Sequence, residues 1–192
     1  MRIHILLFAL AALGGEIGGC GTGKAQTRDL AAPALPVFDF PQDGVEFLTG
    51  DTWRVGGQTY RLYGVQSCIR GTRFTNAAGA KMDCGEASLA YTAAIVRDGR
   101  PRCTAIAKAG NPPIVYTVCA ATVGRSTLDL GTILIAEGFA FAAADANGKP
   151  INLAYAVAEG DAQRARRGLW AAMDLPHPIR ILMDAARSAA PR

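Results

Sequence analysis

Histidine is nearly absent from this chain, which has only His4 near its start and His177 just before Pro178. A Ser-His-Asp or Cys-His triad, or a histidine-rich metal site, therefore has almost no material to work with. No Cys-x-x-Cys pair occurs and no histidine lies near the cysteines, which argues against zinc as their purpose. Charge of one sign is also scarce: the net charge is +4 over 192 residues, and the basic residues are scattered. Binding driven by phosphates usually shows a clustered basic face, so this balance permits an anionic partner without demanding one. There is no internal repeat. The stretch "GGCGTGKA" at 18–25 nearly matches a phosphate-binding loop, but it has Ala25 where the hydroxyl is needed and lacks the flanking strand and helix.

What the chain does have is apolar bulk. Half of its residues are hydrophobic, enough for one sizeable core and one globular domain. Residues 1–20 read as an export signal, with Arg2 in the charged region, an apolar run from Ile5 to Leu13 and small residues after it; the run is too short for a permanent membrane helix. Ile17-Gly18-Gly19-Cys20 also resembles a lipobox, in which Cys20 is lipidated after cleavage. Ordinary cleavage between about residues 19 and 26 is the other reading, and Glu16 is awkward for both. Either way the protein is exported, and a membrane contact is expected only through a lipid on Cys20. Residues 21–42 read as a linker, small and proline-bearing at first.

The five cysteines agree with export, because setting Cys20 aside leaves an even number: Cys68, Cys84, Cys103 and Cys119. Three pairings are possible. Cys103 and Cys119 fall in two successive strand-like runs, while Cys68 and Cys84 bracket one long loop. The expected bridges are therefore Cys68–Cys84 and Cys103–Cys119, each contributing about 3 kcal/mol by chain entropy.

The body of the chain begins with strands. "VEFLTG", "DTWRV" and "TYRLYGV" are short β-prone runs, and Gly56-Gly57 suits a tight hairpin turn. "CGEASLAYTAAIVRDG" has helical spacing through Leu89, Ala93 and Val96, and two cysteine-bearing strands follow. "LDLGTILIAEGFAFA" reads as a second helix with Gly138 as its stop, and "AYAVAEGDAQRARRGLW" as a third, ended by Gly168. The expectation is an α+β architecture, a small closed barrel packed by helices. The closing "SAAPR" is expected to fray.

The order and spacing of "GDTWRV", "YRLYGV", "CGEAS", the paired cysteine strands, "LDLGTILIAEGFAFA" and "YAVAEGDAQRARRGLW" resemble the staphylococcal-nuclease-like (thermonuclease) family. The resemblance covers residues 43–171 and leaves 172–192 as a C-terminal extension. It implies a five-stranded barrel of the oligonucleotide-binding type with three helices. The "YGVQSC…FTNAAG…DCGEAS" variant is also similar to secreted members from rhizobia-like bacteria that are named for a role in succinoglycan exopolysaccharide biosynthesis.

Active members of this family cleave phosphodiesters with one calcium ion. Calcium takes several hard oxygens, a glutamate serves the attacking water, and two arginines stabilise transition-state charge. Carried over residue by residue, Asp51 matches the metal-binding acid of the Gly-Asp-Thr turn, with Thr49 where many members have another acid, and Arg61 matches the first arginine. Gln66 stands where the second metal-binding aspartate is expected, and Ser67 where a threonine supplies its carbonyl. Cys68-Ile69 replaces the usual Pro-Glu, so the catalytic glutamate is missing. The second arginine aligns with about Ile114 and is missing too. Two of the five functional side chains remain, and each catalytic loss would typically reduce the rate ~100-fold or more.

Substitutes are conceivable. A Cys68–Cys84 bridge would draw Asp83 and Glu86 towards the place of the lost glutamate, and Arg70, Arg73 or Arg125 could supply a cation. The plainer role for Asp83 and Glu86 is at a helix start; for Asp51, capping a turn; for Arg61, bridging strands. The resulting expectation is an exported domain with a degraded site that acts in envelope exopolysaccharide production, with polysaccharide or biosynthetic proteins as partners and no cofactor. The alternative is a rewired, calcium-dependent secreted nuclease acting on single-stranded nucleic acid. A binding face would need exposed aromatics, for which Trp53, Tyr60 and Tyr63 are the candidates, with Trp170 assigned to the core.

Overall fold

The computed structural model describes residues 36–189. The export signal, Cys20 and most of the expected linker lie outside the described residues. The chain builds strands β1 (Val37–Asp39), β2 (Glu46–Thr49), β3 (Thr52–Val55), β4 (Gln58–Leu62), β5 (Val65–Ser67), β6 (Arg73–Thr75) and β7 (Lys81–Asp83) before its first helix, α1 (Cys84–Gly99). After it come β8 (Arg102–Ala109), β9 (Ile114–Val123), β10 (Ser126–Asp129), α2 (Leu130–Ala136), β11 (Ala140–Ala142), α3 (Leu153–Arg164), a 3-10 turn at Gly168–Ala171 and α4 (Pro178–Ala189).

The architecture is α+β, as expected, but the sheet is open. Its seven strands run β1-β8-β9-β4-β3-β2, with β10 added on β9. All pairs are antiparallel except β4 with β9. The end strands β1 and β2 do not hydrogen-bond to each other, so the barrel expected from the sequence is not closed. Aromatic rings lie where that closure would be: Phe40, just beyond β1, stacks on Phe47 of β2 at 6.0 Å and tilts against Trp53 at 4.7 Å. Side-chain packing thus joins the two edges where ladder hydrogen bonds do not.

The hairpin of β3 and β4 follows from its turn residues. Val55 pairs with Gln58 across Gly56 and Gly57, whose φ values of 54° and 77° are what a two-residue hairpin turn of this hand requires. Two departures from the sequence reading concern ends of elements. The helix in "LDLGTILIAEGFAFA" stops before Gly138 as expected but begins only at Leu130: Asp129 ends β10 and caps α2 with its side chain, and after the stop Ala140–Ala142 forms β11 beside β5. Val37–Asp39, inside the stretch read as linker, pairs with β8.

Four α-helices are present among the described residues rather than three, because the C-terminal extension folds into α4. The apolar residues Ile179, Leu182, Met183 and Ala186 recur at helical spacing, and α4 rests against β5. Trp53, a candidate for an exposed aromatic, is 2% exposed and stacks on Tyr60 at 5.8 Å. Its alternation on β3 turns it to the inner face, where Arg54 on the same strand points out. Tyr63 is exposed, at 40%.

Both expected disulfides are formed, with Cα atoms 5.6 Å apart for Cys68–Cys84 and 4.0 Å apart for Cys103–Cys119. The second links directly opposed residues of β8 and β9. Two bridges point to an oxidising, extracytoplasmic compartment. Among the described residues no helix is long and apolar enough to cross a membrane.

Candidate functional site

The turn between β2 and β3 carries Asp51, and α1 packs tightly behind it. A Cβ at the neighbouring Gly50 would come within 2.6 Å of Ser88 Oγ, so only glycine admits this approach. Thr52 of β3 opposes Arg61 of β4 in the ladder, which brings Asp51 and Arg61 together. Gln66, on β5, reaches the same spot from beyond the β4–β5 turn.

The three side chains form one network. Asp51 is 2% exposed; its Oδ1 accepts from Thr49 Oγ1 at 2.5 Å and Thr52 Oγ1 at 3.2 Å. Its Oδ2 accepts from Arg61 Nε at 3.0 Å, with Arg61 Nη2 also 3.0 Å away. Nη2 in turn donates to Gln66 Oε1 at 2.9 Å, and Gln66 Nε2 donates to the Ser67 carbonyl at 2.9 Å. Sequence positions assigned to a metal site and to a transition-state cation are thus neighbours in space.

Their donor set does not fit calcium. The ion takes six to eight oxygens, several of them charged. Here both oxygens of Asp51 already accept from hydroxyls and a guanidinium, and the amide oxygen of Gln66 faces the same cation. The Ser67 carbonyl, in the position of a third ligand, accepts from the Gln66 amide. Among the described residues no three His, Cys, Asp or Glu side chains cluster in a manner that could hold a metal. Cys68, where the resemblance leads one to expect proline, is buried in its disulfide, and Ile114 begins β9 opposite Thr59.

The candidate acids are engaged elsewhere. Asp83 caps α1: its Oδ1 accepts from the N–H of Gly85 and Glu86, and its Oδ2 from the N–H of Gly71. Burial alone would raise its pKa, but the backbone N–H groups of Gly71, Glu86 and Gly85 and the Arg73 charge outweigh it and leave the carboxyl below its ordinary range. Glu86 pairs with Arg70 at 3.2 Å on the surface. Arg125 is exposed on the β9–β10 turn.

A cavity of about 590 Å³ opens beside Arg61 and Gln66, between Tyr63 and Tyr116 on the sheet side and Leu182 and Met183 of α4. A second, of about 840 Å³, surrounds Glu159 and His177. His177 Nε2 lies 2.5 Å from Glu159 Oε1, while Nδ1 accepts from the Ile179 N–H at 3.2 Å. Glu159 Oε2 accepts from the Ala142 N–H at 2.6 Å. Both ring nitrogens are therefore used to anchor the start of α4 to β11 and α3, a structural task.

The sequence reading missed α4 and Tyr116 as walls of the cavity. The spacing of Ile179, Leu182, Met183 and Ala186 was the available signal for the first; a single tyrosine in a strand offers none for the second. No protein-family model matches this chain, and no curated protein matches it.

Proposed function

We propose that the protein is an exported, staphylococcal-nuclease-like domain, an opened variant of the oligonucleotide-binding type of fold, whose catalytic site has been converted into a structural network. In this reading it serves envelope exopolysaccharide production as a binding or assembly factor and does not cleave phosphodiesters. One observation carries the reading: Asp51, Arg61 and Gln66 satisfy one another, with Asp51 buried and no free carboxylate oxygen left for a metal. The motif series supports the family, and the "YGVQSC…DCGEAS" variant supports the role in polysaccharide production. The engagement of Asp83 as a cap and of Glu86 with Arg70 speaks against a rewired nuclease.

The test is complementation in a producing bacterium that lacks this protein. Wild type and Glu86→Gln, which removes a candidate substitute for the missing glutamate at an exposed position, should restore exopolysaccharide output equally. An output that does not depend on the protein at all, or that only the wild type restores while phosphodiester cleavage is lost in the variant, contradicts the proposal.

A further inference from the structure

The cavity between the sheet and α4 has the size of a small-molecule site, roughly 300–1,000 Å³ for such pockets in general. Its walls are mainly apolar: Tyr63, Val65 and Tyr116 on one side, Ile179, Leu182 and Met183 on the other. Tyr63 and Tyr116 meet edge to face at 6.5 Å. Four polar residues interrupt this lining: Arg61, Gln66, Asp145 and Arg187. The one acid is held by its own turn, because Asp145 Oδ1 accepts from the backbone N–H groups of Asn147 and Lys149.

Arg61, whose side chain is about one-third exposed where that of Arg187 is 75% exposed, is both fixed and incompletely used. Its Nε and Nη2 are held by Asp51 and Gln66, whereas Nη1 has no hydrogen-bond partner among the described residues. A guanidinium set in place by two of its nitrogens loses little freedom on binding an anion with the third, and its hydrogen bond to a carboxylate is charge-assisted. Arg187, on the facing helix, also lines the cavity but is already paired with Asp184 and donates its Nε to the Met183 carbonyl, so the head of an anion falls to Arg61. An apolar enclosure with a fixed cation on its wall is complementary to a molecule with one anionic end and a hydrocarbon body.

We propose that this cavity binds a single-chain anionic amphiphile of the alkyl carboxylate class, its head on Arg61 and its tail between Tyr63, Tyr116 and the Leu182–Met183 face of α4. The occupant is a free monomer, and α4 forms one wall of its site. This site stands on the cavity alone and is independent of whether any phosphodiester cleavage survives.

The experiment is calorimetric titration of the oxidised exported protein with decanoate below its micelle-forming concentration, beside decanol, acetate and anionic phospholipid vesicles. Decanoate should saturate one site, with decanol and acetate at least ~10-fold weaker and no vesicle binding. Leu182→Glu, at an exposed position that tolerates the change, should weaken decanoate at least ~10-fold by placing a carboxylate in the tail wall; Arg61→Lys should weaken it similarly by removing the planar third nitrogen. Thermal melts establish that both variants are folded. Absence of decanoate binding, equal binding of decanol, binding only to vesicles, or an unchanged affinity in folded Leu182→Glu would each overturn the proposal.

Discussion

Arg61 and Asp51 face each other across the β3–β4 hairpin with Nε 3.0 Å from Oδ2, the cation about one-third exposed and the acid almost wholly buried. The two side chains thus form one largely buried ion pair, which leaves only Nη1 of the guanidinium without a partner among the described residues. Removing the acid leaves Arg61 able to regain water but strands the hydroxyls of Thr49 and Thr52 around an emptied pocket. Asp51→Ala should therefore lower unfolding stability by about 2 kcal/mol. Arg54→Ala, which breaks the exposed pair with Glu46, should lower it by less than about 1 kcal/mol. Urea denaturation of both variants measures the contrast, and equal small losses would show that the buried network contributes nothing.

Asp83 separates a capping role from a catalytic one. Asp83→Ala should lose about 1 kcal/mol or more as the N-cap of α1 is removed, and Asp83→Ser should recover most of it. Because the folded carboxyl titrates below its unfolded value, its contribution is fully present above the ordinary aspartate pKa near ~4 and is lost as the pH falls through the lower folded value. The acid limb of the stability curve should thus shrink in Asp83→Ala relative to wild type. An unchanged acid limb would contradict the capping assignment.

Tyr155 supplies the opposite sign. Burial first, then its hydrogen bond to Asp129 at 2.8 Å and that carboxylate's charge, hold the phenol well above the usual tyrosine range. The neutral phenol is the form the fold accommodates, so its contribution is complete below pH ~10 and is lost as the pH rises beyond it. In an alkaline titration followed by phenolate absorbance, one tyrosine should remain protonated until the protein unfolds. Tyr155→Phe should abolish that late component and lower stability by about 1 kcal/mol.

Each disulfide joins cysteines with a sequence separation of 16, and by chain entropy each should stabilise by about 3 kcal/mol. Their local effects differ. Cys103 and Cys119 are already opposed in a long ladder, whereas Cys68–Cys84 is what ties the end of β5 to the start of α1. The double substitution Cys68→Ala with Cys84→Ala should therefore open residues 69–83 to protease, while Cys103→Ala with Cys119→Ala should lower stability without new cleavage there. Similar cleavage in both would contradict this division.

How far the sequence can be read depends on the range of the signal. Gly56-Gly57 and the capping sequence before α1 are local devices, and the hairpin and helix follow them closely. Gln66, Ile69 and Ile114, where the resemblance leads one to expect two acids and an arginine, are likewise legible in the residues themselves. The sheet order is not, because the parallel pairing of β4 with β9 joins segments far apart in the chain and only the folded backbone brings them into register. In "LDLGTILIAEGFAFA" Gly138 was legible as the stop of the helix, and its positive φ stands there, but the apolar residues after it, which suit a helix or a buried strand equally, gave no sign of β11. Trp53 misled in another way: its strand alternation was legible, but which face was inward required knowing that Phe40 and Phe47 lie against it. The extension was read by its frayed end, so the stripe on α4 was overlooked.

The most direct measurement is cleavage of single-stranded DNA and RNA by the oxidised protein without residues 1–20, with calcium and with chelator, beside Arg61→Lys. The expected result is that wild type shows no chelator-sensitive cleavage above the variant. Calcium-dependent cleavage that falls at least ~100-fold in Arg61→Lys would contradict it, and would mean that Arg61 still acts on phosphate despite its place beside Asp51.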